Sequence, residues 1–123
     1  NAAHKKLAEW EREGKLLAVV TQNIDGLHQK AGSRKVYEIH GSALRNYCMS
    51  CGKRYPEDYI FESKEPIPHC TCGGVIRPDI TLYEEMLPDE AVENAVRAIS
   101  RADLMIIAGT LYPAASFINY FHV

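Results

Sequence analysis

Four cysteines are the feature that most limits how this chain can fold. They occur as Cys48-x2-Cys51 and Cys70-x-Cys72, and the rest of the 123-residue chain contains no other cysteine. Two close pairs on separate turns are typical of a tetrathiolate zinc site, whereas two disulfides are typical of small secreted proteins. A glycine follows the second cysteine of each pair, where a tight turn can direct backbone N–H groups at sulfur. We therefore predict one Zn²⁺ per chain, with two disulfides or free thiols as the alternatives. Four thiolates leave no open position on the metal, so its role would be structural.

The charge balance and the apolar runs exclude several classes of function. Lys plus Arg is 14 and Asp plus Glu is 16, which gives a net charge of −2 and no basic excess for binding nucleic acid. Apolar runs such as Leu16–Val20 are far too short to span a bilayer. We expect no direct nucleic-acid partner and no membrane partner. Reduced cysteines that bind zinc favour an intracellular, cytoplasmic location.

Buried strands alternating with amphipathic helices predict an α/β fold with a parallel sheet. The apolar runs at 16–20 and 104–108 and the alternating segment at 36–40 predict strands, and residues 77–87 are expected to be extended. Helices are predicted over 1–13 and 26–31, from Pro88 along the apolar face that ends at Ile99, and from Pro113. Residues 46–76 form a zinc-binding module inserted between residues 1–45 and residues 77–123, which together make up the α/β domain.

Polar residues and glycines follow two of the predicted strands at the points where they end. In open parallel sheets, ligands bind beyond the carboxyl ends of the strands. The amides of Gln22 and Asn23 could bind a ribose, Asp25 could bind a carboxamide, and His40 could accept a proton near neutral pH. The competing interpretation is that each is an ordinary capping or turn residue.

A third strand end, at Gly109 and Thr110, could bind phosphate. A backbone N–H and a hydroxyl ahead of a helix start are suited to an anion. A Gly-Thr pair after a strand is also common in any α/β protein, so even the three strand ends together only suggest a ligand cleft.

Several motifs together resemble the signature of the sirtuins, the NAD-dependent protein lysine deacylases. They follow one order over nearly the whole chain: Thr21-Gln22-Asn23-Ile24-Asp25-Gly26-Leu27-His28, Ala31-Gly32-Ser33, Glu38-Ile39-His40-Gly41-Ser42, the paired cysteines, Arg77-Pro78-Asp79-Ile80-Thr81-Leu82-Tyr83, Glu85-Met86-Leu87-Pro88, Gly109-Thr110 and Pro113-Ala114-Ala115.

The resemblance implies a Rossmann-type NAD-binding domain with an inserted zinc ribbon and a tunnel for acyl-lysine between them. The implied reaction consumes NAD⁺, removes an acetyl or other acyl group from a protein lysine, and yields nicotinamide and O-acyl-ADP-ribose. The partner would be an acylated lysine peptide or protein. The roles implied for individual residues are catalysis for His40 and Asn23, NAD⁺ binding for Gln22, Asn23, Ile24, Asp25, Gly109 and Thr110, and substrate binding for Thr81, Leu82 and Tyr83.

The sequence departs from the family pattern in several places. It contains no Gly-Ala-Gly-x-Ser segment, only Leu111 and Tyr112 separate Gly109-Thr110 from Pro113, and Glu84 stands where many relatives carry glycine. We therefore expect an incomplete catalytic core from a longer protein. The alternative functions are a non-enzymatic zinc-ribbon module that binds peptides by strand addition and an NAD-dependent ADP-ribosyl transferase.

Overall fold

The computed structural model describes residues 1–109. Helices and strands alternate in its first part, and a small antiparallel sheet follows. In chain order the elements are α1 (Ala2–Arg12), β1 (Val19–Thr21), α2 (Leu27–Lys30), β2 (Val36–Glu38), β3 (Gly41–Cys48), β4 (Arg54–Pro56), α3 (Glu57–Phe61), β5 (Ile76–Ile80) and α4 (Asp89–Ile99).

The two strands of the first sheet are parallel, as the sequence pattern predicts. β1 pairs with β2 so that Thr21 lies opposite Glu38. Helix α4 covers this pair with the apolar face predicted for it, and its fully buried Ala95 packs in one cluster with Ile39. Burial of this face keeps α4 against the sheet and fixes the segments that leave β1 and β2.

The second sheet is antiparallel, with β3 in the centre between β4 and β5. Cys48 lies opposite Ile76 at one end of the β3–β5 ladder, and Gly41 lies opposite Ile80 at the other. Two of the cysteines, Cys48 and Cys70, form a small buried cluster with Tyr55 and Ile76. The strands of this sheet lie between Gly41 and Ile80, beyond both limits of the predicted 46–76 module. The segment between β4 and β5 also contains the short helix α3, which the sequence pattern does not indicate.

Helix α1 begins at its predicted N-cap residue, Asn1. The Asn1 side chain accepts a hydrogen bond from the backbone N–H of His4 at 3.1 Å. The short helix near Gly26 is also confirmed, although it covers only Leu27–Lys30. The strand predicted at 16–20 is shifted, because pairing with β2 begins only at Val19.

The strand predicted at 104–108 is wrong for the described part of the chain. These residues belong to no strand, and Leu104 and Ile106 are 76% and 71% exposed. An apolar run becomes a buried strand only when a neighbouring strand pairs with it, and none of residues 1–109 does so. The helix predicted from Pro113 lies outside the described residues. Among residues 1–109, no helix has the length and apolar character needed to cross a membrane.

Candidate functional site

A cleft of about 590 Å³ lies where β1, β2 and β5 end. Because β1 and β2 are parallel neighbours, the segments that follow them reach the same edge of the sheet. The residues after β5 form the facing wall. All lining residues except Ile80 are site residues predicted from the sequence: Gln22, Asn23, Ile24, Asp25, His40, Thr81, Leu82 and Tyr83.

His40 lies half-buried at this edge, and its ring orientation is set by the backbone. Its Nδ1 lies 3.1 Å from the carbonyl oxygen of Gln22. Since a carbonyl only accepts hydrogen bonds, the neutral ring carries its proton on Nδ1 and has a lone pair on Nε2. The backbone oxygen of His40 accepts a hydrogen bond from Thr81 N–H at 3.0 Å, which ties the two walls of the cleft together. The arrangement leaves His40 able to take a proton through Nε2.

The loop after β1 is a turn whose own side chains organise it. Asn23 donates its backbone N–H to the Thr21 hydroxyl at 3.0 Å, and Asp25 Oδ1 accepts from Leu27 N–H at 2.9 Å. Asp25 therefore closes a local turn just before Gly26, the N-cap residue of α2, which agrees with the ordinary interpretation of this motif as a turn. Its exposed carboxylate also lines the cleft, so this turn positions it there.

Thr81, Leu82 and Tyr83 lie at the cleft, but they do not continue the extended segment predicted for residues 77–87. β5 ends at Ile80, and the chain turns at Tyr83 and Glu84. Leu82 is 52% exposed and Tyr83 is fully exposed. This wall therefore presents apolar side chains to solvent.

Only one residue of the predicted phosphate site, Gly109, lies in the described part of the chain. Gly109 is exposed and does not line the cleft. Thr110 lies outside the described residues.

The four cysteine sulfurs form a compact cluster, all within 4.8 Å of one another. Cys48 and Cys72 sulfurs are 3.5 Å apart, and those of Cys51 and Cys70 are 3.6 Å apart. A disulfide bond is only about 2.05 Å long. In contrast, Zn–S bonds of roughly 2.3 Å in a regular tetrahedron place sulfurs about 3.8 Å apart. The cysteines are free thiols in this geometry and can hold one structural zinc ion.

Neighbouring groups prepare one of these sulfurs, Cys70 Sγ, to bind a metal as a thiolate. The Tyr55 hydroxyl donates a hydrogen bond to Cys70 Sγ at 3.0 Å. The backbone N–H of Cys72 and this hydroxyl together lower the pKa of Cys70 to about 5. A Cβ on Gly74 would lie 2.7 Å from Cys48 Sγ, so only glycine fits at this approach. Gly52 and Gly73, the glycines that follow the second cysteine of each pair, have φ of +71° and +85°, so the predicted tight turns are present.

Two networks of charged residues are not evident from sequence spacing. Buried Glu38 accepts hydrogen bonds from Arg45 at 2.8 Å and Gln29 at 2.9 Å. The only signal for the first network is a charged residue in an apolar strand. Arg77 forms a second network with Glu85 at 2.7 Å, and nothing in the spacing of these two residues indicates the pair.

Comparison with known proteins adds independent findings. The model of the Sir2 family matches residues 1–114. NAD-dependent protein deacetylases of Clostridium acetobutylicum and Clostridium perfringens are each 57% identical to this chain over 125 residues, which cover 98% of the chain and 51% of each relative. The chain therefore spans about half the length of these curated relatives.

Solved structures agree with the sequence comparison. A structure from a study of sirtuin substrate affinity superposes with a TM-score of 0.88 at 43% identity, covering 95% of this chain and 50% of that one. A Sir2 structure with a p53 peptide and NAD⁺ superposes with a TM-score of 0.86 at 45% identity, covering 95% and 51%. These similarities confirm the predicted α/β class, a Rossmann-type sheet with a small zinc-ribbon module.

Proposed function

Because this chain belongs to the Sir2 family, we propose that it forms part of an NAD-dependent protein deacylase that removes acetyl or other acyl groups from lysine side chains. The observation that carries the proposal is the single cleft shared by His40, the Gln22–Asp25 loop and the Thr81–Tyr83 wall. These residues come from three separate segments, and ordinary turn chemistry does not require them to meet.

His40 acts as the general base in this proposal. Its Nδ1–H is held by the Gln22 carbonyl, so Nε2 is free to accept a proton from a ribose hydroxyl. Asn23, which lines the same cleft, is the second catalytic residue in this proposal. NAD⁺, when bound, supplies the ribose carbon that the acyl oxygen attacks and the nicotinamide that leaves.

The remaining cleft residues bind and orient the reactants. The amide of Gln22 can both donate to and accept from a ribose hydroxyl, and the carboxylate of Asp25 can accept from a carboxamide N–H. Ile24 supplies an apolar contact to the same pocket. Leu82 and Tyr83 offer apolar surface for the acyl-lysine and limit water around it. The products are nicotinamide, the free lysine and O-acyl-ADP-ribose.

Zinc contributes to the structure of the enzyme in this proposal. Cys48, Cys51, Cys70 and Cys72 would hold the ion, and it would hold the turns of the antiparallel sheet together. Thiols that bind a metal favour a reducing, intracellular compartment.

The proposal is tested by mixing the full-length protein with NAD⁺ and an acetyl-lysine peptide. We expect nicotinamide release that depends on both substrates, with a mass loss on the peptide equal to one acetyl group. His40→Tyr should lower the rate by at least about 100-fold, as expected for loss of a general base, and should keep its zinc. The matched control is His69→Tyr, at an exposed histidine outside the cleft, which should keep the activity.

Two results would contradict the proposal. One is the absence of nicotinamide release in the presence of both substrates. The other is a mass gain on an acceptor protein that corresponds to ADP-ribose, which would indicate the transferase alternative.

A further inference from the structure

The turn that carries Leu82 and Tyr83 has a backbone conformation that requires support. Glu84 has φ of +69°, in the left-handed region that side chains other than glycine rarely adopt. Among residues 1–109, the only backbone hydrogen bond inside this turn runs from Glu85 N–H to the Leu82 carbonyl at 3.1 Å. The shape of this wall of the cleft therefore depends on contacts made by side chains.

A bidentate ion pair between Arg77 and Glu85 supplies such contacts. Arg77 Nη1 lies 2.7 Å from Glu85 Oε1, and Nη2 lies 3.1 Å from Oε2. Arg77 Nη2 also donates to the carbonyl of Ile80 at 2.9 Å. The guanidinium thus holds the turn at both of its ends, at Ile80 and at Glu85. Paired N–H···O contacts of this kind fix geometry more firmly than a single contact.

The Glu85 carboxylate also holds the middle of the turn. Its Oε2 accepts a hydrogen bond from Leu82 N–H at 2.9 Å. Arg77 and this N–H together lower the pKa of Glu85 to about 2, so the carboxylate is charged at neutral pH. The backbone N–H of Leu82 is consequently engaged by Glu85 and is not free to donate to a bound peptide.

Arg77 is itself held firmly. It lies on β5 opposite Tyr47, one position from the Cys48–Ile76 pair. Only 19% of its side chain is exposed. The ion pair therefore connects the turn at the cleft to the sheet that carries the cysteines.

We propose that Arg77 and Glu85 are positioning residues that hold the turn at 81–84 in the shape that presents Leu82 and Tyr83 to the acyl-lysine peptide. They set the affinity for the peptide and do not act on NAD⁺, because neither lines the side of the cleft formed by residues 22–25. This inference rests on the function proposed above.

The test compares four variants of the full-length, zinc-loaded protein with the wild type. Glu85→Ala removes the carboxylate, and Glu85→Gln keeps an acceptor oxygen. Arg77→Lys keeps the positive charge but cannot form the two parallel hydrogen bonds that the guanidinium makes. Arg54→Gln is the matched control, because Arg54 pairs with Asp79 at 3.0 Å on the same sheet and forms no ion pair with the described residues of the turn.

Steady-state kinetics should separate positioning from general stability. We expect Glu85→Ala to raise the peptide KM about tenfold, while kcat and the KM for NAD⁺ change less than about twofold. Glu85→Gln and Arg77→Lys should show smaller increases, and Arg54→Gln should match the wild type. An unchanged peptide KM in Glu85→Ala would overturn the proposal, as would a parallel change of all three parameters.

Limited proteolysis gives a second measurement that needs no enzymatic activity. Chymotrypsin cleaves after Leu82 and Tyr83 only when the turn opens, so Glu85→Ala should be cut there several-fold faster than the wild type and Arg54→Gln. Equal cleavage rates would overturn the proposal even if the wild type proved inactive as a deacylase. Inactivity with faster cleavage in Glu85→Ala would contradict the proposed function alone.

Discussion

Replacement of Gly41 by alanine should damage the structure next to the candidate base. Gly41 has φ of +75°, and a Cβ there would collide with the backbone oxygen of Asp79. It would also lie 3.0 Å from the Asp79 carbonyl carbon and 3.1 Å from the Ile80 Cα. All three atoms belong to the backbone of β5, so no side-chain rotation relieves the contact. β3 must move away from β5.

The magnitude follows from two separate terms. An alanine in the left-handed conformation costs about 1–2 kcal/mol. Forcing an extra carbon into a packed site costs about 1–3 kcal/mol more. The free energy of unfolding should therefore fall by about 2–5 kcal/mol in Gly41→Ala. Gly14→Ala is the matched control, because Gly14 has φ of +72° and, among residues 1–109, no atom lies within 4 Å of the position that the added methyl group would take. It should cost only about 1–2 kcal/mol.

Urea denaturation of the full-length protein, followed by circular dichroism with zinc in excess, measures both values. The transitions should have equal slopes, so the midpoints report stability directly. The rate of nicotinamide release should also fall in Gly41→Ala, because the displaced strand adjoins the His40 carbonyl that bonds Thr81 N–H. If Gly41→Ala costs no more than Gly14→Ala, the inferred steric contact with β5 is refuted.

Three further predictions concern the pH dependence of stability, the retention of zinc and the packing of the hydrophobic core. Burial, with a smaller contribution from nearby His4, lowers the pKa of His28 below 6.5 in the folded protein. As the pH falls, the His28 ring therefore takes up a proton in the unfolded chain before it does so in the folded one. The free energy of unfolding should consequently fall as the pH drops below about 6.5. His28→Gln should flatten this fall in urea midpoints between about pH 7.5 and about pH 5.5, and an equally steep fall would contradict the assignment. Cys72→Ser should lose the zinc measured by mass spectrometry, while His69→Ala should retain it, and retention in both would refute the four-cysteine site. Ile39→Ala should lower the free energy of unfolding by about 2–4 kcal/mol, since Ile39 is 3% exposed, and a loss below about 1 kcal/mol would contradict its core position.

Local patterns predicted the elements that depend on local interactions. The apolar face of α4 and the Asn1 cap involve residues only a few positions apart, so periodicity and capping chemistry reveal them. The cysteine cluster is found from spacing because thiolates in two close pairs have few other uses.

The features that the sequence did not predict depend on contacts between residues far apart in the chain. Residues 104–108 show the composition of a buried strand, but composition does not indicate which strand pairs with them. The Arg77–Glu85 pair likewise depends on how the chain turns after Ile80, and sequence spacing gives no sign of that turn. The His40 contact with the Gln22 carbonyl requires β1 and β2 to be in a particular register, which the alternation of β2 alone does not specify.

The length of β3 has a consequence for how the metal can be used experimentally. Gly41 adjoins the candidate base and Cys48 belongs to the cysteine cluster, so one strand of eight residues separates them. A fully extended strand of this length would span about 23 Å, and the irregularity between Ser42 and Asn46 makes β3 shorter than that, while the screening length is about 8 Å at physiological ionic strength. Distance and screening thus weaken any effect of the charge at the cluster on His40. Cobalt(II) carries the same charge as zinc and also binds thiolates, so exchanging the two ions leaves that charge unchanged. Cobalt(II) should therefore serve as a coloured reporter of thiolate coordination, and the pH profile of the proposed deacylase activity should stay where it was.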